Sequence, residues 1–132
     1  MPTRPTRAAA PERDEDFPAE GLPTSRQHFD VHDDAVGTVA EARWYGCLFL
    51  RQLADDEPAM AEELRAAADC FEAEHDIMWG IWALAGGLGR SDEHAKKLAQ
   101  PFTRERMRPL IRLSREKDEQ GAEHIEKALN EE

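Results

Sequence analysis

The sequence predicts an all-α protein, and three observations predict it. Apolar residues recur at steps of three and four over long segments: Leu64, Ala68, Phe71, Met78, Trp79 and Trp82 form one such run, with His75 in its line. That spacing is the apolar stripe of an amphipathic helix. No stretch alternates apolar and polar residues in the manner of a strand. Helix punctuation separates the periodic segments: Pro58 follows Asp55-Asp56-Glu57, and Gly86, Gly87 and Gly89 cluster together.

The elements follow in order. Residues 1–26 hold Pro2, Pro5, Pro11, Pro18 and Pro23 among Thr, Arg, Ala and acids, without an apolar period. They are expected to form a disordered or extended arm, whose composition does not identify a partner. Residues 27–132 are expected to form one helical domain. Its first helix is expected from about Asp30 to Asp55, on the stripe Val36, Val39, Ala40, Trp44, Cys47, Leu48, Leu50 and Leu53. This segment is apolar over more than one face, so it is expected to be buried against several neighbours. Asp56 is the expected N-cap of the second helix, with Pro58 in the first turn where its missing N–H costs nothing. That helix runs to about Leu84 and stops at the glycines. Ser91 or Asp92 caps a short third helix over roughly 92–100, which Pro101 ends. The last helix is expected over about 108–130, on Leu110, Ile111, Leu113, Ile125, Ala128 and Leu129. Glu116, Glu119, Glu123 and Glu126 point away from that stripe and read as a solvated acidic face, with His124 at its border.

Composition narrows the function. The chain has 132 residues, enough for one domain with a modest core. Its 17 basic and 28 acidic residues leave a net charge of −11. That balance argues against a nucleic-acid partner and suits cationic ones, metal ions included. No apolar run has the length of a membrane span, and Met-Pro-Thr-Arg-Pro begins no signal-peptide core. Cys47 and Cys70 are too few for a disulfide framework and lack zinc-site spacing, so both are expected as buried free thiols in a reducing cytoplasm.

The chemistry concentrates in Glu72-Ala-Glu-His75. His75 lies near the middle of the second helix's stripe, with Glu72 one turn earlier on its edge. A Glu-x-x-His unit on a core-facing helix is what helical bundles use to hold iron or manganese. A turn centred between Asp56 and Glu57 puts Glu41 level with Glu72 in an antiparallel hairpin. Glu41 shares a face with Trp44, Tyr45 and Leu48. A buried carboxylate is costly unless paired or bound to a cation, and a metal would resolve that cost at Glu41, Glu72 and His75 together. A di-metal carboxylate site needs two such sets, and the C-terminal half offers no second one. A twofold dimer in which each copy gives Glu41, Glu72 and His75 is the economical solution.

On these residues the hairpin over about 36–85 resembles half of a ferritin-like di-iron bundle. It is most similar to the encapsulated ferritins, whose two-helix subunits complete a ferroxidase centre by dimerising. The resemblance implies a ferritin-like antiparallel hairpin with additional C-terminal helices, its four-helix bundle completed by a second copy. It implies Glu72 as the bridging ligand, Glu41 and His75 as terminal ligands, and an iron pair, with manganese as the other candidate, that oxidises Fe(II) with dioxygen. Trp44-Tyr45 is similar to an aromatic pair of that family's first helix. The sequence after 91 is longer than the family's, and Glu-Lys-Ala-Leu-Asn-Glu-Glu is unlike an encapsulin-docking peptide. A free-standing homodimer or higher homo-oligomer is therefore expected.

Tyr45 and Trp44 are close enough to Glu41 to support the ligands, and Asp34, two turns earlier, is placed to lead cations toward them. The cluster His28, Asp30, His32, Asp33 and Asp34 reads as an N-terminal cap whose acids favour the helix dipole. Trp44, Trp79 and Trp82 read as core or interface. The competing function is a metal-free helical interaction or regulatory module, in which the aromatic stripe meets a partner and Glu41 pairs with Arg43, Arg51 or a partner's cation. A third reading is an iron or redox sensor with the arm as its output.

Overall fold

The computed structural model describes residues 22–130, and every element in it is helical. Helix α1 spans Leu22–Asp56, α2 Ala61–Leu84, α3 Asp92–Ala99 and α4 Pro101–Asn130. A single 3-10 turn, Pro58–Met60, joins α1 to α2. Both α1 and α4 pack along α2, and α3 bridges α1 to α4. Among the described residues no helix is long and apolar enough to cross a membrane.

Helix α1 starts at Leu22 rather than near Asp30, so residues 22–26 belong to it and not to an arm. The rest of the expected arm lies outside the described residues. Tertiary contacts account for the longer helix. At 35 residues against 24, α1 outruns α2 by about 16 Å. The overhang is covered by α3 and the loop before it. Phe29 is fully buried with its ring 5.8 Å from that of His94. The Arg26 guanidinium donates to Asp92 Oδ1 and to the Arg90 carbonyl, each at 2.8 Å. A helix this far along by Asp30 leaves the His28–Asp34 cluster inside it, so that cluster is no N-terminal cap.

Asp56 does not cap α2 either; it is the last residue of α1. Pro58 opens the 3-10 turn, where its missing N–H is tolerated. Gly86, Gly87 and Gly89 take φ of 115°, 80° and 118°, a region costly for other residues, and end α2 as expected. The Ser91 hydroxyl accepts from the His94 N–H at 3.3 Å and caps α3. Helix α4 begins at Pro101, seven residues earlier than expected, and Pro109 is accommodated inside it. The early turns are held from within the core: Met107 is fully buried, and buried Arg104 donates to the Leu98 carbonyl at 3.0 Å.

The core has two apolar clusters. One joins Phe29, Val36, Ala40, Met78, Ile81, Leu98 and Met107. The other joins Leu50, Ala54, Met60, Leu64, Ala67, Ala68 and Ala128. A polar layer lies between them. There Arg43 Nε reaches Glu74 Oε2 at 3.1 Å and Asp118 Oδ1 at 2.8 Å, while the Ser114 hydroxyl donates to Glu74 Oε1 at 3.5 Å. The four glutamates of the expected acidic face on α4 are all exposed.

Candidate functional site

The hairpin register decides which residues meet. Trp44 packs on His75, Arg43 reaches Glu74, and Arg51 reaches Glu72. These pairs centre the hairpin on the 3-10 turn, at about residues 59–60, rather than between Asp56 and Glu57. Glu41 is therefore level with residues just after His75. Glu72 is level with Cys47 and Arg51, about 9 Å further along the axis. The expected equal height of Glu41 and Glu72 does not hold, because the extra turn displaces the two arms of the hairpin.

Five of the six residues singled out in the sequence line one cleft of about 460 Å³: Asp34, Glu41, Trp44, Tyr45 and His75. Asp33, Trp79, Trp82 and Arg90 also line it, and no residue of α4 does. The cleft thus opens on the side of the hairpin away from α4. Glu72 stands outside it. Its Oε2 accepts from Arg51 Nη2 at 2.6 Å, and the same nitrogen reaches Asp69 at 3.1 Å.

His75 is held at both ring nitrogens. The Trp79 indole N–H donates to Nε2 at 2.8 Å, and Nδ1 lies 3.1 Å from Asp76 Oδ1. An indole nitrogen only donates. In the neutral ring Nε2 is therefore the acceptor, and the proton sits on Nδ1, facing Asp76. The Asp76 carboxylate thus fixes the tautomer, and the lone pair left on Nε2 is taken by the Trp79 N–H. Glu41 is exposed and takes neither arginine expected for it: Arg43 serves Glu74 and Asp118, Arg51 serves Asp69 and Glu72. Among the described residues, no three His, Cys, Asp or Glu side chains group closely enough to hold a metal ion.

Asp34 does not stand free to lead cations. Arg90, in the glycine-rich loop, bonds it and also donates from Nε to Asp33 Oδ2 at 2.8 Å. Both thiols are free and un-ionised, because burial pushes the Cys47 and Cys70 pKa values up. Cys47 is buried as expected, whereas Cys70 is only half-buried.

Sequence reasoning missed Glu74. It is 3% exposed, and burial pushes its carboxyl up to about 7, with Asp118 adding to the shift and Arg43 opposing it. The signal was present. Ala67, Phe71, Glu74, Met78 and Ile81 repeat at heptad spacing, and that line lies closer to the bundle axis than the one through His75. A second missed pair is His124 Nδ1 with Glu63 Oε2 at 2.6 Å, which ties α4 to α2.

Comparison with protein-family models, with curated proteins and with solved structures finds no match to this chain.

Proposed function

We propose that the chain is a ferritin-like, non-haem di-iron protein whose metal site is completed by a second copy of itself. One observation carries the reading: Glu41 and His75 share a cleft on the side of the α1–α2 hairpin that α4 leaves open. Two of the three donors suit iron or manganese there. Glu41 is a carboxylate without an ion-pair partner among the described residues, and His75, its Nδ1 held by Asp76, would ligate through Nε2 once the Trp79 N–H releases it. Glu72 can join them only by leaving Arg51, and its axial distance from Glu41 makes a bridging role depend on the second copy. When bound, the iron pair would supply the reduction of dioxygen by Fe(II). The protein's part is to present hard oxygen and imidazole donors, and to exclude water once a second copy covers Tyr45, Leu48 and Trp79, all of them exposed.

The test is metal content after Fe(II) loading, by plasma mass spectrometry, with mass by light scattering on the same sample. About one iron per chain is expected in a dimer or its multiple, lost in Glu72→Ala and His75→Ala. Sub-stoichiometric iron, unchanged by these substitutions, overturns the reading.

The partners already held by Glu72 and His75 favour a second reading, a metal-free helical interaction module. In that case Glu41→Ala, Glu72→Ala and His75→Ala alter stability individually, and the alterations are the same with and without metal.

A further inference from the structure

The cleft is walled on one side by aromatic rings. Trp44 and His75 lie 5.1 Å apart between ring centroids, His75 and Trp79 6.1 Å, and Trp79 and Trp82 4.7 Å. Successive planes turn by 37°, 74° and 33°, so the rings make a curved wall and not a stack. Tyr45 stands at its margin.

The polar side carries an excess of negative charge. Asp33, Asp34 and Glu41 contribute three carboxylates, and Arg90 is the single guanidinium among the lining residues. Arg90 is engaged by Asp33 and Asp34, and Glu41 has no such partner among the described residues. Polar capacity is also left over. Asp33 Oδ1 and Trp82 Nε1 are buried without a hydrogen-bond partner, in a residue pair that lines the cleft. Asp33 itself is only 6% exposed. Buried polar atoms without partners are costly, and functional sites are where such costs are kept.

Aromatic faces and uncompensated carboxylates both favour a cation. They do not favour every cation equally. A metal ion held by Glu41 and His75 would use those donors and leave the faces of the tryptophan rings uncovered. A bulky, weakly hydrated organic cation gains from the ring faces and still balances the charge. The volume of about 460 Å³ lies within the range of small-molecule sites.

We propose that this cleft binds a small alkylammonium ion, lodged against the Trp44–Trp79–Trp82 wall with Glu41 balancing its charge. The proposal does not rest on the iron reading; the two share Glu41 and His75, and Glu72 tells them apart. Glu72 belongs to the proposed metal set but does not line the cleft.

The experiment is calorimetric titration of the metal-free full chain with choline, and with the neutral tert-butyl isostere of choline as control. Choline is expected to saturate one site per chain and the isostere to bind at least about tenfold more weakly, since only the charged form has the cation–π and carboxylate attraction. Glu41→Gln, an exposed change that leaves the core alone, is expected to weaken choline about tenfold. Glu72→Gln is expected to keep choline binding while it loses iron. No saturable choline binding overturns the proposal. Equal binding of the isostere, or choline binding indifferent to Glu41→Gln, also overturns it. Iron loading of the wild-type chain is scored separately, so failure of the metal site leaves the choline result standing, and the converse.

Discussion

Glu74 sits where a single charge matters most, in the polar layer between two apolar clusters. Its carboxyl is lifted from 4.5 to about 7, chiefly by burial. The folded chain therefore holds a proton that the unfolded chain releases. For an acid with a raised pKa, the stabilising linkage is complete below the unfolded value of 4.5 and is lost as pH rises through about 7. Urea unfolding at about pH 5 and about pH 8 is expected to show a loss on the order of 2–3 kcal/mol from this group. Glu74→Gln keeps the shape and removes the titration, so its stability is expected to be flat across that window. An equal slope in the variant would assign the effect to other groups. Arg43 retains Asp118 in the variant, so the substitution strands no buried cation. Glu74 lies between Glu72 and His75 in a short acidic run, and its neighbours drew attention to their own face of the helix. The heptad line through Ala67, Phe71, Met78 and Ile81 marks Glu74 as the deepest of the three, and packing sets how deep it lies.

At the scale of the helices, Gly121 lets α4 close on Phe71, and Gly46 on α1 faces the same ring with room to spare. A Cβ on Gly121 would stand 2.5 Å from Phe71 Cε1 and 2.9 Å from Cδ1. On Gly46 it would meet the same ring at 3.5 Å, an ordinary contact. The Arg43 guanidinium lies 5.3 Å from the centre of that ring, so the ring has little room to retreat. Gly121→Ala is expected to lower stability by about 1–3 kcal/mol through overpacking. Gly46→Ala is expected to raise it by roughly 0.5–1 kcal/mol, because alanine is the better helix former and finds space. Thermal melts of the pair decide it: a shift in the same direction for both would show that Phe71 is not gripped. The elements themselves were largely legible. The stop at Gly86, the cap at Ser91 and the break at Pro101 are local signals and fell where local chemistry places them. The starts of α1 and α4 were not legible. Residues 22–30 and 101–107 are helical because α3 and its flanking loop pack on them, and their own sequence shows too weak a period to announce it.

For the whole molecule, the open side of the hairpin is the decisive surface. Tyr45 is 62% and Trp79 44% exposed, and both line the cleft with Glu41 and His75; Leu48, also 44% exposed, lies two turns after Glu41 on the same helix face. Clustered apolar side chains left in water favour association. Leu48→Glu is expected to hold the protein as a monomer by light scattering and, with it, to reduce iron uptake after Fe(II) loading. A wild-type chain that is already monomeric at working concentration would remove the shared site, and a Leu48→Glu monomer that still takes up about one iron per chain would detach metal binding from dimerisation. A salt titration adds a check on the hairpin. Arg51 with Glu72 and Asp69 is a partly exposed network, so raising ionic strength should loosen it by no more than about 1 kcal/mol, and any larger effect points elsewhere.

The helical class, the hairpin, the position of its stops and the face that carries Glu41, Trp44 and Tyr45 can be read from the chain alone. These follow from periodicity and capping, which act within a few residues of chain. The sequence also singled out five of the twelve residues that line the cleft. The register came from the packing of the folded chain. One 3-10 turn of three residues moved Glu41 away from Glu72 and set Arg51 there instead. Packing also decided that Asp33 and Asp34 answer to an arginine 56 or more residues away. Depth, register and distant ion pairs depend on how helices lie against one another, and local sequence carries that information only in combination.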